Sequence, residues 1–396
     1  MTARVALVTY STKPRGGVVH TLALAEALCA LGVEPTVVAL GHPDREEGFY
    51  RPTTAPYLLV PAPDPAPTLE ERVFTSVDAL AAGLAELDSE FDIVHTQDCI
   101  SARAAMRVRS EGAGFTVLRT VHHVDDFTTP ALIDCQRQAI LEPDHLLVVS
   151  EYWRQLLERE YGVRSQVVHN GVDPARFGPI TRAESAAFRE RVGAKDRFLF
   201  LAVGGIEPRK GSVYLLEALS RLKKRIDPSP VLAVVGGHSF QDYTTYRDAA
   251  LARLPELGLT LGRDVVLLGT VSDDDLAAWY RAADALAYPS LKEGWGLVVL
   301  EAMSADLPVV ATNIPVFREY LADGTNALLV APEDPDDLAS AMEALVTAPE
   351  LRRRLVAGGH RVVDRFTWPA SARQHLGIYQ SVHGAKKVNP IRTTHQ

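Results

Sequence analysis

The strongest constraint on the fold is an alternation of short apolar runs and helix-period segments that occurs twice along the chain. Val5 to Tyr10 is an apolar run ending in Ser11-Thr12-Lys13-Pro14-Arg15-Gly16-Gly17. Thr21 to Leu31 then sets Leu22, Leu24, Ala25, Leu28 and Leu31 at helical spacing. Gly32 stops that helix, and Val37-Val38-Ala39-Leu40 reads as the next strand, completing a βαβ unit. Leu69 to Leu87 reads as a helix, and Asp92 to Gln97, Thr116 to Val121 and Leu146 to Ser150 as strands, the last of this half. A second set begins at Phe198 to Val203 and continues through Val231 to Val235, Val265 to Leu268, Ala285 to Tyr288 and Val309-Val310. Two such sets predict an α/β chain of two doubly wound domains. The turn at Asn170-Gly171 and the breaker Pro174 place the boundary near 175. Six prolines between 52 and 67 predict an extended surface connection.

Bulk properties narrow the function classes. At 396 residues the chain holds two domains of ordinary size, and its 47% apolar and 23% charged content is globular. A formal net charge of −9 argues against nucleic acid as a partner. It weakens a peripheral membrane role without removing it, since a local basic patch is compatible with that total. Cys29, Cys99 and Cys135 are odd in number and lack CxxC spacing, so neither a disulfide framework nor a zinc site is expected. No apolar run reaches the roughly 18 residues of a membrane span, and Val5 to Val8 reads as a strand rather than a leader, which predicts a cytoplasmic protein.

The stretch richest in chemistry is Pro289-Ser290-Leu291-Lys292-Glu293-Gly294-Trp295-Gly296-Leu297-Val298-Val299-Leu300-Glu301-Ala302-Met303. Glu293 and Glu301 stand eight positions apart with a Gly-x-Gly between them. Each glycine costs roughly 1 kcal/mol inside a helix, which argues against one continuous helix here. The reading is a strand, a glycine loop carrying Glu293, and a helix starting near Leu297 with Glu301 in its first turns. Free N–H groups at that start, with the macrodipole behind them, make an anion site, and glycines let a phosphate approach the backbone. A carboxylate on each side suits a ligand with hydroxyls at both ends. A nucleotide diphosphate sugar has that shape.

Glu293-Gly-Trp-Gly-Leu-x-x-Leu-Glu301-Ala-Met resembles the E-x7-E signature of the retaining glycosyltransferase family 4. That family's GT-B fold has two Rossmann-like domains facing a central cleft. The resemblance implies that Glu293 contacts the donor sugar, Glu301 holds the nucleotide ribose, and Gly294, Gly296, Leu297 and Val298 line the phosphates. His122, in Thr120-Val121-His122, matches the family's T-x-H, whose imidazole contacts the sugar; with Glu293 it is the catalytic candidate. Gly16-Gly17 resembles the glycine loop of the N-terminal domain, and Val271 the strand end edging the base. Asp92-Ile-Val-His-Thr-Gln resembles D-V-V-H-x-H, with Gln97 replacing the second His. Relatives commonly read G-R-x-x-x-x-K-G where this chain has Gly204-Gly205-Ile-Glu-Pro-Arg209-Lys210-Gly211. Lys210 takes the Lys place, Gly205 replaces the usual Arg, and Arg209 is the candidate to assume its phosphate role. The family-like layout is residues 1–175 as an acceptor-side domain, 176–368 as a donor-side domain and 369–384 as a helix crossing back onto the first. Residues 385–396 form a polar tail expected to be disordered.

The two Asp-x-Asp pairs, Asp273/Asp275 and Asp334/Asp336, read as helix starts rather than metal ligands. No metal or other cofactor is therefore expected, and cations and helix dipoles are left to stabilise a departing diphosphate. The resemblance implies α-glycosidic transfer with retention from a UDP- or GDP-linked sugar, to an acceptor the sequence does not specify. Donor sugar, base and oligomeric state are equally unspecified. Two alternatives stay open: a nucleotide-sugar epimerase or hydrolase on the same fold, and a module that only binds.

Overall fold

The computed structural model describes residues 3–42, 48–237, 241 and 243–388. Its chain divides into two compact units: residues 1–170 with 368–396, and residues 171–367. The chain leaves the first unit after Asn170, five residues before the position suggested by Pro174, and returns to it at Trp368.

Unit 1 runs β1 (Val5–Thr9), α1 (Gly16–Cys29), β2 (Thr36–Gly41), β3 (Tyr57–Pro61), α2 (Leu69–Glu86), β4 (Ile93–Thr96), α3 (Cys99–Ser110), β5 (Thr116–Val121), α4 (Pro130–Leu141), β6 (His145–Val148), α5 (Glu151–Tyr161) and β7 (Gln166–Val167). All pairings are parallel, in the order β3-β2-β1-β4-β5-β6-β7. The order reverses beside β1, and the ends of β1, β4 and β5 carry the polar residues discussed below, as expected at such a switch point. Helix starts are fixed locally: Thr68 and Glu71 close a capping box on α2, Asp98 caps α3 and Ser150 caps α5. Three expectations need correction. Helix α1 begins at Gly16, so Gly16-Gly17 is its first turn and not a loop before it. The proline-rich segment contains edge strand β3, tolerated because Pro61 ends it. A seventh strand, β7, follows β6.

Unit 2 runs α6 (Arg182–Arg191), β8 (Leu199–Val203), α7 (Ser212–Lys223), β9 (Val231–Val235), α8 (Thr244–Ala252), β10 (Val265–Gly269), α9 (Asp273–Ala282), β11 (Ala285–Tyr288), α10 (Leu297–Ser304), β12 (Val309–Thr312), β13 (Leu328–Val330), α11 (Pro335–Thr347) and α12 (Pro349–Val363). Its parallel sheet is ordered β10-β9-β8-β11-β12-β13, again reversing beside its first strand. Leu215, Leu219 and Leu222 of α7 share a buried core with Leu338, Met342 and Leu345 of α11. Both Asp-x-Asp pairs are helix starts: Ser272 caps α9 and Asp334 caps α11.

Helix α13 (Trp368–Val388) belongs to unit 1. Ala372, His375, Tyr379 and Val382 are buried at helical spacing, so one stripe faces the unit. Residues 385–388, expected to be disordered, continue this helix, and the remainder of that tail lies outside the described residues.

Candidate active site

In unit 2 the site is built where β8 and β11 end. The loop after β8 makes a short 3-10 turn, Pro208–Lys210, and Gly211 leaves it at φ +64°. A Cβ at Gly211 would stand 2.1 Å from the Pro289 carbonyl oxygen, so only glycine lets this loop lie on the segment after β11. The contact is fastened by Leu291 N–H, which donates to the Arg209 carbonyl at 2.7 Å.

This docking delivers Lys210 to Glu293. Glu293 Oε1 accepts from Lys210 Nζ at 2.6 Å, Ser290 Oγ at 2.6 Å and Tyr288 Oη at 2.8 Å. Lys210 also donates to Tyr288 and sits over its ring. The Arg209 guanidinium lies 3.8 Å from the same oxygen and 3.1 Å from Glu207. Burial alone raises a carboxylate pKa, but Lys210, Arg209 and the Ser290 hydroxyl outweigh it and hold Glu293 at about 2. Lys210 is 10% exposed and Arg209 38%, so Lys210 lies deeper in the site and Arg209 is the more exposed of the two cations.

Helix α10 starts at Leu297, as its glycines predict, with Gly296 at φ +93°. A Cβ there would reach 2.5 Å from the Phe317 ring. Val299 N–H already bonds the Gly296 carbonyl, while the helix start leaves its first amides, Leu297 and Val298, without intrahelical acceptors. Glu301 lies one turn further and is buried; Tyr280, at the end of α9, donates to its Oε2 at 2.8 Å. Glu301 Oε1 has no hydrogen-bond partner among the described residues. Burial raises the Glu301 pKa, opposed by Arg176 and by Tyr280. The two glutamates thus differ electrostatically: one is pinned as an anion by cations, the other is dry and held by a phenol. Gly294 stays in the glycine loop and Val271 lies half-buried between β10 and α9.

Gly205 stands at φ +80°, and a Cβ there would approach the Gly237 carbonyl to 3.1 Å. A side chain at that position would be strained by the positive φ and by the carbonyl, so the backbone favours glycine there.

In unit 1, Gly17 packs against the ends of β4 and β5: a Cβ there would stand 3.8 Å from the Gln97 carbonyl and 4.0 Å from His122 Cδ2. His122 Nε2 donates to Gln97 Oε1 at 3.1 Å. The His20 ring meets His122 edge-on, 4.7 Å between centroids, and His20 Nδ1 donates to Asn170 at 2.9 Å. Burial, then neighbouring His123 and Arg119, lowers the His122 pKa to about 3, so its ring is neutral.

A model of "Glycosyltransferase Family 4" matches residues 14–176, and one of "Glycosyl transferases group 1" matches residues 184–362. A D-inositol 3-phosphate glycosyltransferase of Frankia alni is 32% identical over 402 residues, covering 93% of this chain and 95% of the relative. The chain belongs to glycosyltransferase family 4. The fold of this glycosyltransferase is GT-B. Sucrose-phosphate synthase from Thermosynechococcus elongatus superposes with a TM-score of 0.80 at 22% identity, covering 97% of this chain and all of that one. Anabaena HepE in complex with UDP-glucose gives 0.77 at 18% identity, covering 96% and 100%.

Of the residues named from sequence, Glu293, Lys210 and Arg209 converge on one point, and Glu301 sits behind the helix start that Gly294 and Gly296 open. His122, Gly16 and Gly17 gather in unit 1. Sequence reasoning missed Tyr288, Ser290, Tyr280 and the Gln97 contact. Tyr288 was reachable, since it ends the strand that enters the motif. Tyr280 carries no such signal, being 21 residues from its partner. Among the described residues no group of three or more His, Cys, Asp or Glu is arranged to hold a metal, and no helix is long and apolar enough to cross a membrane.

Proposed function

We propose that this glycosyltransferase moves a sugar from a nucleotide diphosphate sugar to a hydroxyl acceptor with retention and without a metal ion. The observation that carries the reading is the pair of unlike carboxylates on either side of the α10 start. The diphosphate lies on the Leu297 and Val298 amides, and its charge is met by Lys210 and by Arg209, the more exposed cation, which takes the phosphate role of the arginine that Gly205 replaces. Glu301 Oε1 receives the ribose hydroxyls. Glu293 takes sugar hydroxyls, and His122 is assigned a sugar contact of its own. The anomeric carbon–oxygen bond to the diphosphate breaks, the acceptor oxygen bonds on the same face, and its proton passes to the departing phosphate. Glu293 is engaged by three donors on one oxygen, which suits a positioning anion more than a covalent nucleophile. The relative's named acceptor makes a phosphorylated polyol the first acceptor class to assay.

Thermal unfolding with UDP, GDP and ADP, each with and without EDTA, tests the donor site. A ligand at 100 times its Kd adds about 2.7 kcal/mol. One diphosphate should raise Tm equally with and without EDTA, and Lys210→Ala should abolish most of that shift. A shift removed by EDTA, or one untouched by Lys210→Ala, contradicts the proposal.

A further inference from the structure

The side chain at position 97 is where this chain departs from the H-x-H of its relatives, and the structure gives the departure a consequence. Gln97 follows β4 and His122 follows β5, the adjacent parallel strand; the register carries Thr96 to Arg119, so the Gln97 side chain reaches His122 diagonally, two residues beyond its own level. Gln97 is 3% exposed, and its own N–H is tied to the Val8 carbonyl at 3.0 Å. The side-chain Nε2 is enclosed without a partner among the described residues, so the bond to His122 is the one that orients the amide. With Oε1 facing the ring, Gln97 accepts and His122 Nε2 carries the proton. A further side of the ring is taken as well: the His20 ring packs against it edge-on, 4.7 Å between centroids. His20 cannot move to relieve this, being held by Asn170. What is left is Nδ1, which has no hydrogen-bond partner among the described residues and is not among the fully enclosed atoms.

We infer that Gln97 is a positioning residue that locks His122 as the neutral Nε2–H tautomer, so that the ring offers its substrate a single acceptor, Nδ1. The group it meets is then a hydroxyl that donates, and an anionic oxygen at that place is disfavoured because two acceptors would face each other. An apolar side chain at position 97 would leave the tautomer of His122 unspecified; the Gln97 oxygen facing Nε2 specifies it. The inference rests on the donor-side role proposed for His122, but the tautomer itself is a property of the free protein.

The experiment therefore has two arms on the full chain. The first is long-range 1H–15N correlation of 15N-histidine protein, with His122 assigned by loss of its signals in His122→Phe. Wild type should show a protonated Nε2 and a bare Nδ1, Gln97→Glu should keep that pattern, and Gln97→Leu should mix the two tautomers. A protonated Nδ1 in wild type, or an unmixed tautomer in Gln97→Leu, overturns the inference. The second arm measures kcat and KM for release of nucleoside diphosphate from UDP-glucose and GDP-mannose against pH. Gln97→Leu should lose about tenfold in kcat/KM, mostly in kcat. In Gln97→Glu the carboxylate stabilises the imidazolium, so activity should fall on acidification at a higher pH than in wild type. Mixed tautomers with unchanged kcat/KM would remove the positioning role. Absence of turnover with any donor would instead strike the transferase proposal, while the first arm still decides whether Gln97 governs the ring.

Discussion

At the scale of single residues, the site is a set of carboxylates whose behaviour is decided by neighbours far away in sequence. Glu293 and Glu301 were legible because glycines bracket a helix start, a local pattern. What each carboxylate does was not, because Lys210 is 83 residues from Glu293 and Tyr280 is 21 from Glu301. Tyr280 is the informative probe. Its hydroxyl holds one Glu301 oxygen and leaves the other for ligand, so Tyr280→Phe removes orientation without removing the acceptor. We expect donor KM to rise about three- to tenfold in Tyr280→Phe with kcat nearly unchanged, the range of a single neutral hydrogen bond of about 1 kcal/mol. Glu301→Ala should raise KM further. Equal kinetics for Tyr280→Phe and wild type would show that the phenol does not orient Glu301.

Secondary elements were legible in proportion to their periodicity. Strands buried on both faces announce themselves as apolar runs, as β9 and β11 do. Edge strands do not: β3 hides among prolines, with Tyr57 and Leu58 exposed. β7 is two residues long and has no period to read. The seating of β3 depends on a missing side chain. Gly83 of α2 lies against Val60, and a Cβ there would come within 2.4 Å of its Cγ2. Replacing glycine by alanine in a helix gains about 1 kcal/mol of propensity. Here the β-branched Val60 has little room to rotate, and overpacking costs about 1–3 kcal/mol. The clash wins, so Gly83→Ala should lower Tm, and Gly83→Ala/Val60→Ala should recover part of the loss; thermal melts of the pair check this.

At the scale of the whole molecule, the two units differ in how they respond to acid. Unit 1 gathers four imidazoles, the buried His20, His95 and His375 and the half-buried His122, in one connected group. No acidic side chain hydrogen-bonds to any of the four among the described residues. Burial pushes His20 and His95 well below 6.5, His375 to about 4 and His122 to about 3. Above pH 6.5 the folded and unfolded chains are equally neutral at these sites. As pH falls below 6.5 the unfolded chain takes up protons that the folded one refuses, so stability is lost progressively towards those folded values. The depressed carboxylates of unit 2, Asp264, Asp306 and Glu293, lose their contribution only below their ordinary values of 3.8 and 4.5. Calorimetry between pH 7.5 and 5 should show one transition moving to lower temperature ahead of the other, and His375→Phe should reduce that movement. Coincident transitions across the range would refute it. The two-unit α/β plan was legible from the repeated alternation, while this histidine group was not, since it is assembled from α1, β4, the end of β5 and α13. Its dependence on α13 also sets an order of events during synthesis. Residues 171–367, a contiguous block of 197, must be synthesised before His375 and Tyr379 exist. At about 5–20 residues per second that is a wait of roughly 10–40 s. The first part of the message therefore waits, exposed, through the whole of that interval for the helix that seals it.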